Sequence, residues 1–179
     1  MSYFTTMTVP PDNRMYYNIF RHLCLGSAGT DVAMVQYLLA RAPEAISYPF
    51  ANGPALSNGD CPIGVSDVDG DWGPNTDAAM SWFEQASTLM PVYHDGAVDP
   101  MGSVAYGDQI HFINSGAAYE FKLALLQELY VSVICRQAFP NPQAQARAIR
   151  SMANDGECPP ILAADPLLAL EASIANQVT

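Results

Sequence analysis

Four aspartates stand in two Asp-Gly turns of the central region, and their carboxylates are the side chains best suited to chemistry. The first turn reads D-G-D-W-G-P over residues 69–74, and the second reads D-G-A-V-D-P over residues 95–100. Carboxylates brought onto one turn face attract cations. The turns align as D-G-x-Φ-G-P and D-G-x-Φ-D-P, and an internal repeat indicates a supersecondary unit more strongly than one copy would. The four aspartates are Asp69, Asp71, Asp95 and Asp99.

Metal binding and catalysis find less support in the sequence. The segment beginning at Asp67 resembles the start of an EF-hand calcium loop, but Trp72 replaces the required glycine and Ala78 the required glutamate. We therefore predict a turn with flanking acids and no metal site. The three histidines are scattered, and no HExxH, GxSxG or Cys–His pattern occurs. No catalytic residue and no cofactor are predicted.

No Lys or Arg lies near the two acidic turns in the sequence. The chain of 179 residues has 7 Lys and Arg against 18 Asp and Glu, a net charge of −11. Residues 42–121 contain no Lys or Arg and hold 11 of the acids, so the whole excess lies there. Binding to a phosphate backbone requires clustered bases, so nucleic acid is disfavoured as a partner.

The turns must be positioned by helices, and the sequence predicts a mainly α fold. A helix should begin after Gly29, with Asp31 in its first turn, and should stop before Pro43. Its apolar face comprises Val32, Val35, Leu38 and Leu39. Residues 43–66 are predicted to form a long loop, since they are rich in Pro, Gly, Asn and Ser.

A second helix should begin with Pro74, because the first helical position tolerates a missing N–H. Its predicted apolar face comprises Ala78, Ala79, Trp82 and Phe83. The apolar segment 117–138 should be a central helix, followed by helices over about 142–153 and 167–176. Residues 12–25 fit either a short helix or an extended entry segment.

The ordered motifs of residues 22–100 resemble the peptidoglycan-binding-like domain, a three-helix module often attached to bacterial cell-wall hydrolases. Its signatures L-x-x-G-x-x-G-x-x-V-x-x-L-Q, D-G-x-F-G-x-x-T-x-x-A-V-x-x-F-Q and D-G-V-V-G-P-x-T have counterparts here in the same order. The matching positions, which we expect to be structural, are Gly26, Gly29, Val32, Gln36, Gly70, Gly73, Thr76, Phe83 and Gly96.

The sequence departs from the family pattern at several places. The connection between the first two signatures is expanded by the loop 43–66, and Glu84 replaces the glutamine that ends the second signature. In the third signature Asp99 replaces a glycine, and the threonine is missing. The resemblance implies a peptidoglycan-binding-like helical module with a long inserted loop, packed against a C-terminal helical extension.

The resemblance implies a non-catalytic protein that binds peptidoglycan of the bacterial cell wall. Stem peptides of peptidoglycan carry free amines on diamino acids, which the acidic turn face would attract. Exposed aromatic side chains would stack on sugar faces or cover apolar parts of the stem. The predicted ligand-binding residues are Asp69, Asp71, Trp72, Asn75, Trp82, Tyr93, Asp95 and Asp99.

Two other functions remain open. The low content of charged residues also fits a structural subunit of a phage virion or a secretion machine, because interface cores are depleted of charge. A small cell-wall hydrolase using the C-terminal helical region is a weaker alternative. The expected location is extracytoplasmic or virion-associated, although the N-terminus is not a standard signal peptide and no stretch could span a membrane.

The predicted organisation is an N-terminal segment (1–21), the peptidoglycan-binding-like module (22–110) and a C-terminal helical region (111–179). The four cysteines form no CxxC motif. They fit either two disulfides, Cys24–Cys61 and Cys135–Cys158, or free buried thiols.

Overall fold

The computed structural model describes residues 3–9, 12–46, 60–86, 95–101, 122–131 and 142–168, and the fold over these residues is mainly helical, as predicted. The helices are α1 (Thr30–Ile46), α2 (Pro74–Ala86), α3 (Lys122–Leu129), α4 (Pro142–Arg150) and α5 (Pro160–Ala163). Short 3₁₀ turns lie at Val65–Asp67 and Ser151–Asn154. Within the described ranges, no helix is both long and apolar enough to cross a membrane.

The N-terminal segment forms an antiparallel hairpin of β1 (Tyr3–Val9) and β2 (Asp12–Asn18), with Tyr3 opposite Asn18. Of the two predictions for residues 12–25, the extended one is therefore correct for its first half. The end of β2 enters the core. Buried Asn18 exchanges hydrogen bonds with the backbone of Met101, with its Nδ2 donating at 2.6 Å and its Oδ1 accepting at 2.8 Å.

Helix α1 begins at Thr30 as predicted, but the predicted stop before Pro43 is wrong, because the helix continues to Ile46. A proline inside a helix leaves the carbonyl four residues earlier without its usual N–H donor. That carbonyl belongs to Leu39, and the Cys61 thiol donates to it at 3.6 Å. The Cys61 thiol therefore lies where the backbone N–H that Pro43 lacks would have donated.

Helix α2 begins at Pro74, as predicted. Three of the four residues predicted for its apolar face are buried, namely Ala79, Trp82 and Phe83. Ala78 is exposed and Met80 is buried in its place, so the buried face is rotated relative to the prediction.

One hydrophobic core joins the described parts of all three predicted segments, including β2, α1, α2 and α3. Every residue of α3 is buried, which fits the central position predicted for the long apolar segment. Helix α4 begins at Pro142 as predicted, whereas α5 was not predicted. The Asp165 carboxylate accepts from the Leu167 N–H at 2.8 Å, as expected of a helix cap. The proposed domain boundaries remain a prediction.

Candidate functional site

The first Asp-Gly turn is fixed by the amide side chain of Gln36, which projects from α1 and is 1% exposed. Its Oε1 accepts from the Gly70 N–H at 2.8 Å. Its Nε2 donates to Asp69 Oδ1 at 2.9 Å and to the Asp71 carbonyl at 3.0 Å. The same nitrogen lies 2.9 Å from Thr76 Oγ1, in the first turn of α2. One buried side chain therefore joins α1, the turn and α2.

Backbone hydrogen bonds join this turn to the glycine-rich segment before α1. The Gly29 N–H donates to the Gly70 carbonyl at 2.8 Å, and the Trp72 N–H donates to the Ser27 carbonyl at 2.8 Å. The Gly26 N–H donates to the Trp72 carbonyl at 2.9 Å. These bonds connect residues of the first two signatures noted in the sequence.

Within the turn, the Asp69 carboxylate also accepts from the Asp71 N–H at 2.8 Å. The hydrogen bond from Gln36, followed by this backbone bond, lowers the pKa of Asp69 below its ordinary value. Asp69 is therefore a carboxylate at neutral pH.

A cleft of about 410 Å³ opens beside the turn, and we call it the acidic cleft. Three carboxylates line it, from Asp67, Asp69 and Asp71, and all three residues are exposed. None of the described residues that line it is basic. Its other lining residues are Gln36, Ile63, Ser66, Gly73, Pro74, Asn75 and Thr76.

The acidic cleft also contains the first turn of α2, whose N–H groups have no partner earlier in the helix. The positive end of the helix dipole favours a negative group at that point. The carboxylates of the cleft therefore favour a cation, and the start of α2 beside them favours an anionic group.

The structure brings together three of the predicted site residues, Asp69, Asp71 and Asn75, and places the other aspartates elsewhere. Asp95 accepts a hydrogen bond from Lys122 Nζ, and Asp99 lies 2.7 Å from His22 Nδ1. Neither is among the residues that line the acidic cleft. Burial opposes ionisation of Asp95, but the hydrogen bond and the charge of Lys122, together with the Ala97 N–H, outweigh it and lower the pKa.

The prediction that Trp72 and Trp82 contact the ligand is corrected by the structure, in which both are buried. Trp72 is 2% exposed and Trp82 is 8% exposed, because both rings pack in the core. Neither offers an open face to a sugar ring in this structure. Tyr93 lies outside the described residues.

Two residues of these sites were not predicted as site residues. Asp67 lines the cleft, and its D-x-D-x-D spacing with Asp69 and Asp71 is the signal in the sequence that points to it. Lys122 had no local signal, because its partners are 38 and 27 residues away in the chain.

The cysteines described here are free thiols, so the Cys24–Cys61 disulfide is not formed. Burial raises the pKa of Cys61, and burial together with Asp155 raises that of Cys158. Cys135 lies outside the described residues. Within the described ranges, no cluster of His, Cys, Asp or Glu is arranged to hold a metal ion.

Comparison of the chain with known protein families, curated proteins and solved structures gave no significant match. Function is therefore inferred from the geometry of the two turns and of the acidic cleft.

Proposed function

We propose that this protein is a non-catalytic module that binds bacterial peptidoglycan, with the acidic cleft as its ligand site. The observation that carries the proposal is the set of three exposed carboxylates around the cleft, from Asp67, Asp69 and Asp71. Peptidoglycan stem peptides that contain a diamino acid present a free primary ammonium group. Such a cation is attracted by the carboxylates and meets no opposing base in the described lining.

The first turn of α2 adds a second element of recognition. Where the free end of the diamino acid carries a carboxylate beside its ammonium, the carboxylate matches the helix N-terminus. The ammonium then faces the aspartates. The resemblance to the peptidoglycan-binding-like domain implies the same function, and two of its structural motif positions, Gln36 and Thr76, form part of the cleft wall.

Binding at this cleft should be weak and sensitive to salt. Exposed ion pairs contribute about 0.2–1 kcal/mol each, and screening increases with ionic strength. Measurements should therefore be made at low salt, on intact sacculi that present many copies of the ligand.

The test is co-sedimentation with purified sacculi. The double variant Asp67→Asn/Asp71→Asn should bind about fivefold to tenfold more weakly than the wild type, through loss of two such pairs. Asp99→Asn is the matched control, since it removes an exposed carboxylate from outside the cleft. Sacculi whose free amines have been acetylated should not bind the wild type.

Absence of wild-type binding at low salt would exclude the proposal, as would equal losses in the double variant and in Asp99→Asn. An obligate oligomer in native mass measurements, together with no binding to sacculi, would instead support a structural subunit of a larger assembly.

A further inference from the structure

The two Asp-Gly turns are held by equivalent acceptors on the helices that precede them. In the first turn, the Gly70 N–H donates to Gln36 Oε1 of α1 at 2.8 Å. In the second turn, the Gly96 N–H donates to Glu84 Oε1 of α2 at 2.9 Å. The acceptor atom has the same role in both turns, although one group is an amide and the other a carboxylate.

The donors to the two turns are equivalent as well. Gln36 Nε2 donates to the first aspartate of its turn and to the carbonyl of the third residue, Asp71. Lys122 Nζ does the same in the second turn, where it donates to Asp95 Oδ1 and, at 2.6 Å, to the carbonyl of Ala97. Lys122 also donates to Glu84.

The backbones of the two turns share the same features. The Asp69 carboxylate accepts from the N–H two residues later at 2.8 Å, and the Asp95 carboxylate does so at 3.1 Å. The glycines have positive φ, +83° at Gly70 and +68° at Gly96. What differs is the number of side chains that supply the acceptor and the donor.

We propose that Glu84 and Lys122 together make the hydrogen bonds to the second turn that Gln36 alone makes to the first. We call this pair the split clamp. Glu84 supplies the acceptor, and Lys122 supplies the donor from α3, which follows the turn in the chain. Lys122 is thus a positioning residue. The conformation of the second turn therefore depends on the packing of α3. The split clamp joins the second Asp-Gly turn to the C-terminal helices.

The chemistry of the site explains why a lysine occupies this position. Lys122 is the only lysine in a chain with six arginines. Its ammonium has three N–H groups and meets three acceptors, on Glu84, Asp95 and Ala97. The Lys122 and Glu84 side chains are only 4% and 6% exposed, so there is little room for a wider guanidinium.

Removing one partner from this buried pair leaves a charge without compensation, which is strongly destabilising. We therefore expect Lys122→Met to lower the midpoint of thermal unfolding by about 10 °C. The informative variant is Glu84→Gln/Lys122→Met. Its glutamine can accept from Gly96 and donate to Asp95, as Gln36 does in the first turn, and about half of the lost stability should return.

The matched control is Glu84→Leu/Lys122→Met, which also removes both charges but leaves the N–H of Gly96 without an acceptor. The split clamp requires the glutamine variant to unfold at a higher temperature than the leucine variant. Equal midpoints would overturn the proposal. This comparison remains decisive if Lys122→Met alone does not fold, and failure of both double variants to fold would also count against the proposal.

A second readout uses Lys122 as the only side-chain amine of the protein. Acetylation of this amine, followed by mass spectrometry, reports opening of the clamp. Glu84→Gln should raise the acetylation rate about tenfold, which corresponds to about 1.4 kcal/mol in the opening equilibrium. Asp60→Asn, which changes an exposed carboxylate outside both turns, should leave the rate unchanged. Equal rates in Glu84→Gln and the wild type would overturn the proposal, and neither readout depends on peptidoglycan binding.

Discussion

The side-chain oxygen of Gln36 accepts a hydrogen bond from the Gly70 N–H at 2.8 Å, so a residue of α1 fixes the turn that forms the acidic cleft. The two residues are 34 positions apart, and the intervening chain includes the long connection to residue 60. Because the Gln36 side chain is buried, its hydrogen bonds do not compete with bulk water. The position of Asp69 therefore depends on α1 as well as on its own turn.

Gln36→Leu should lower the free energy of unfolding by about 3 kcal/mol, because buried groups of the turn lose their partner. Urea unfolding measures this change. Gln85→Leu is the matched control, since Gln85 is exposed on α2 and its loss should change stability by less than about 0.5 kcal/mol. Similar losses in the two variants would mean that the Gln36 hydrogen bonds contribute little.

The glycines of the two turns should differ in their tolerance of alanine. A Cβ at Gly70 would lie 2.6 Å from Ile161 Cδ1 and 3.2 Å from the Gly29 carbonyl oxygen, whereas at Gly96 the nearest atom is 3.7 Å away. Gly96→Ala should lower the free energy of unfolding by only about 1–2 kcal/mol, which is the cost of a positive φ for a residue with a Cβ. Gly70→Ala should cost about 1–3 kcal/mol more, through overpacking. Thermal unfolding of the two variants compares these costs, and an equal cost would contradict the close approach at Gly70.

Cys61 and Pro43 should be energetically coupled through the Leu39 carbonyl. Cys61→Ala removes the thiol donor and should cost about 1–2 kcal/mol in the wild type, through an unsatisfied acceptor and lost packing. In a Pro43→Ala background the new N–H can bond to Leu39, so the same change should cost less. A double-mutant cycle in urea gives the coupling energy. A coupling of zero would show that the thiol does not compensate for the proline.

The charge of Asp69 should contribute to stability above about pH 4 and not in strong acid. The pKa of Asp69 is lowered in the folded state, so the unfolded chain binds more protons as the pH falls below the ordinary value. Stabilisation by this group is therefore present above about pH 4 and is lost as the pH falls through the lowered pKa. The variant Asp69→Asn should be less stable than the wild type at pH 6. The difference in unfolding midpoint between Asp69→Asn and the wild type should become smaller towards pH 2. A difference that does not change with pH would show that the charge of Asp69 does not stabilise the fold.

The elements predicted correctly are those with a local cause. Pro74 begins α2 because its missing N–H is tolerated there, and α1 begins just after Gly29. Predictions failed where a distant partner intervened. The helix α1 continues past Pro43, and the thiol of Cys61 donates to the Leu39 carbonyl that the proline leaves without its usual N–H donor.

The candidate site shows the same division. Of the eight ligand-binding residues predicted from the sequence, three lie in one cleft, namely Asp69, Asp71 and Asn75. The sequence placed Trp82 both on the apolar face of α2 and among the ligand contacts, and its packing in the core decides for the first. The sequence could not predict that Asp95 pairs with Lys122, because the aspartates of both turns have the same local sequence pattern and Lys122 is 27 residues away.

The helical class, the starts of α1 and α2 and the acidic character of the central region can all be read from the amino-acid sequence. These properties follow from residue type and from spacing over a few positions. Tertiary structure decided which aspartates share a cleft and which one is neutralised by the only lysine of the chain. The physical reason is that ion pairs and buried hydrogen bonds join side chains that only the packed core brings within about 3 Å of one another.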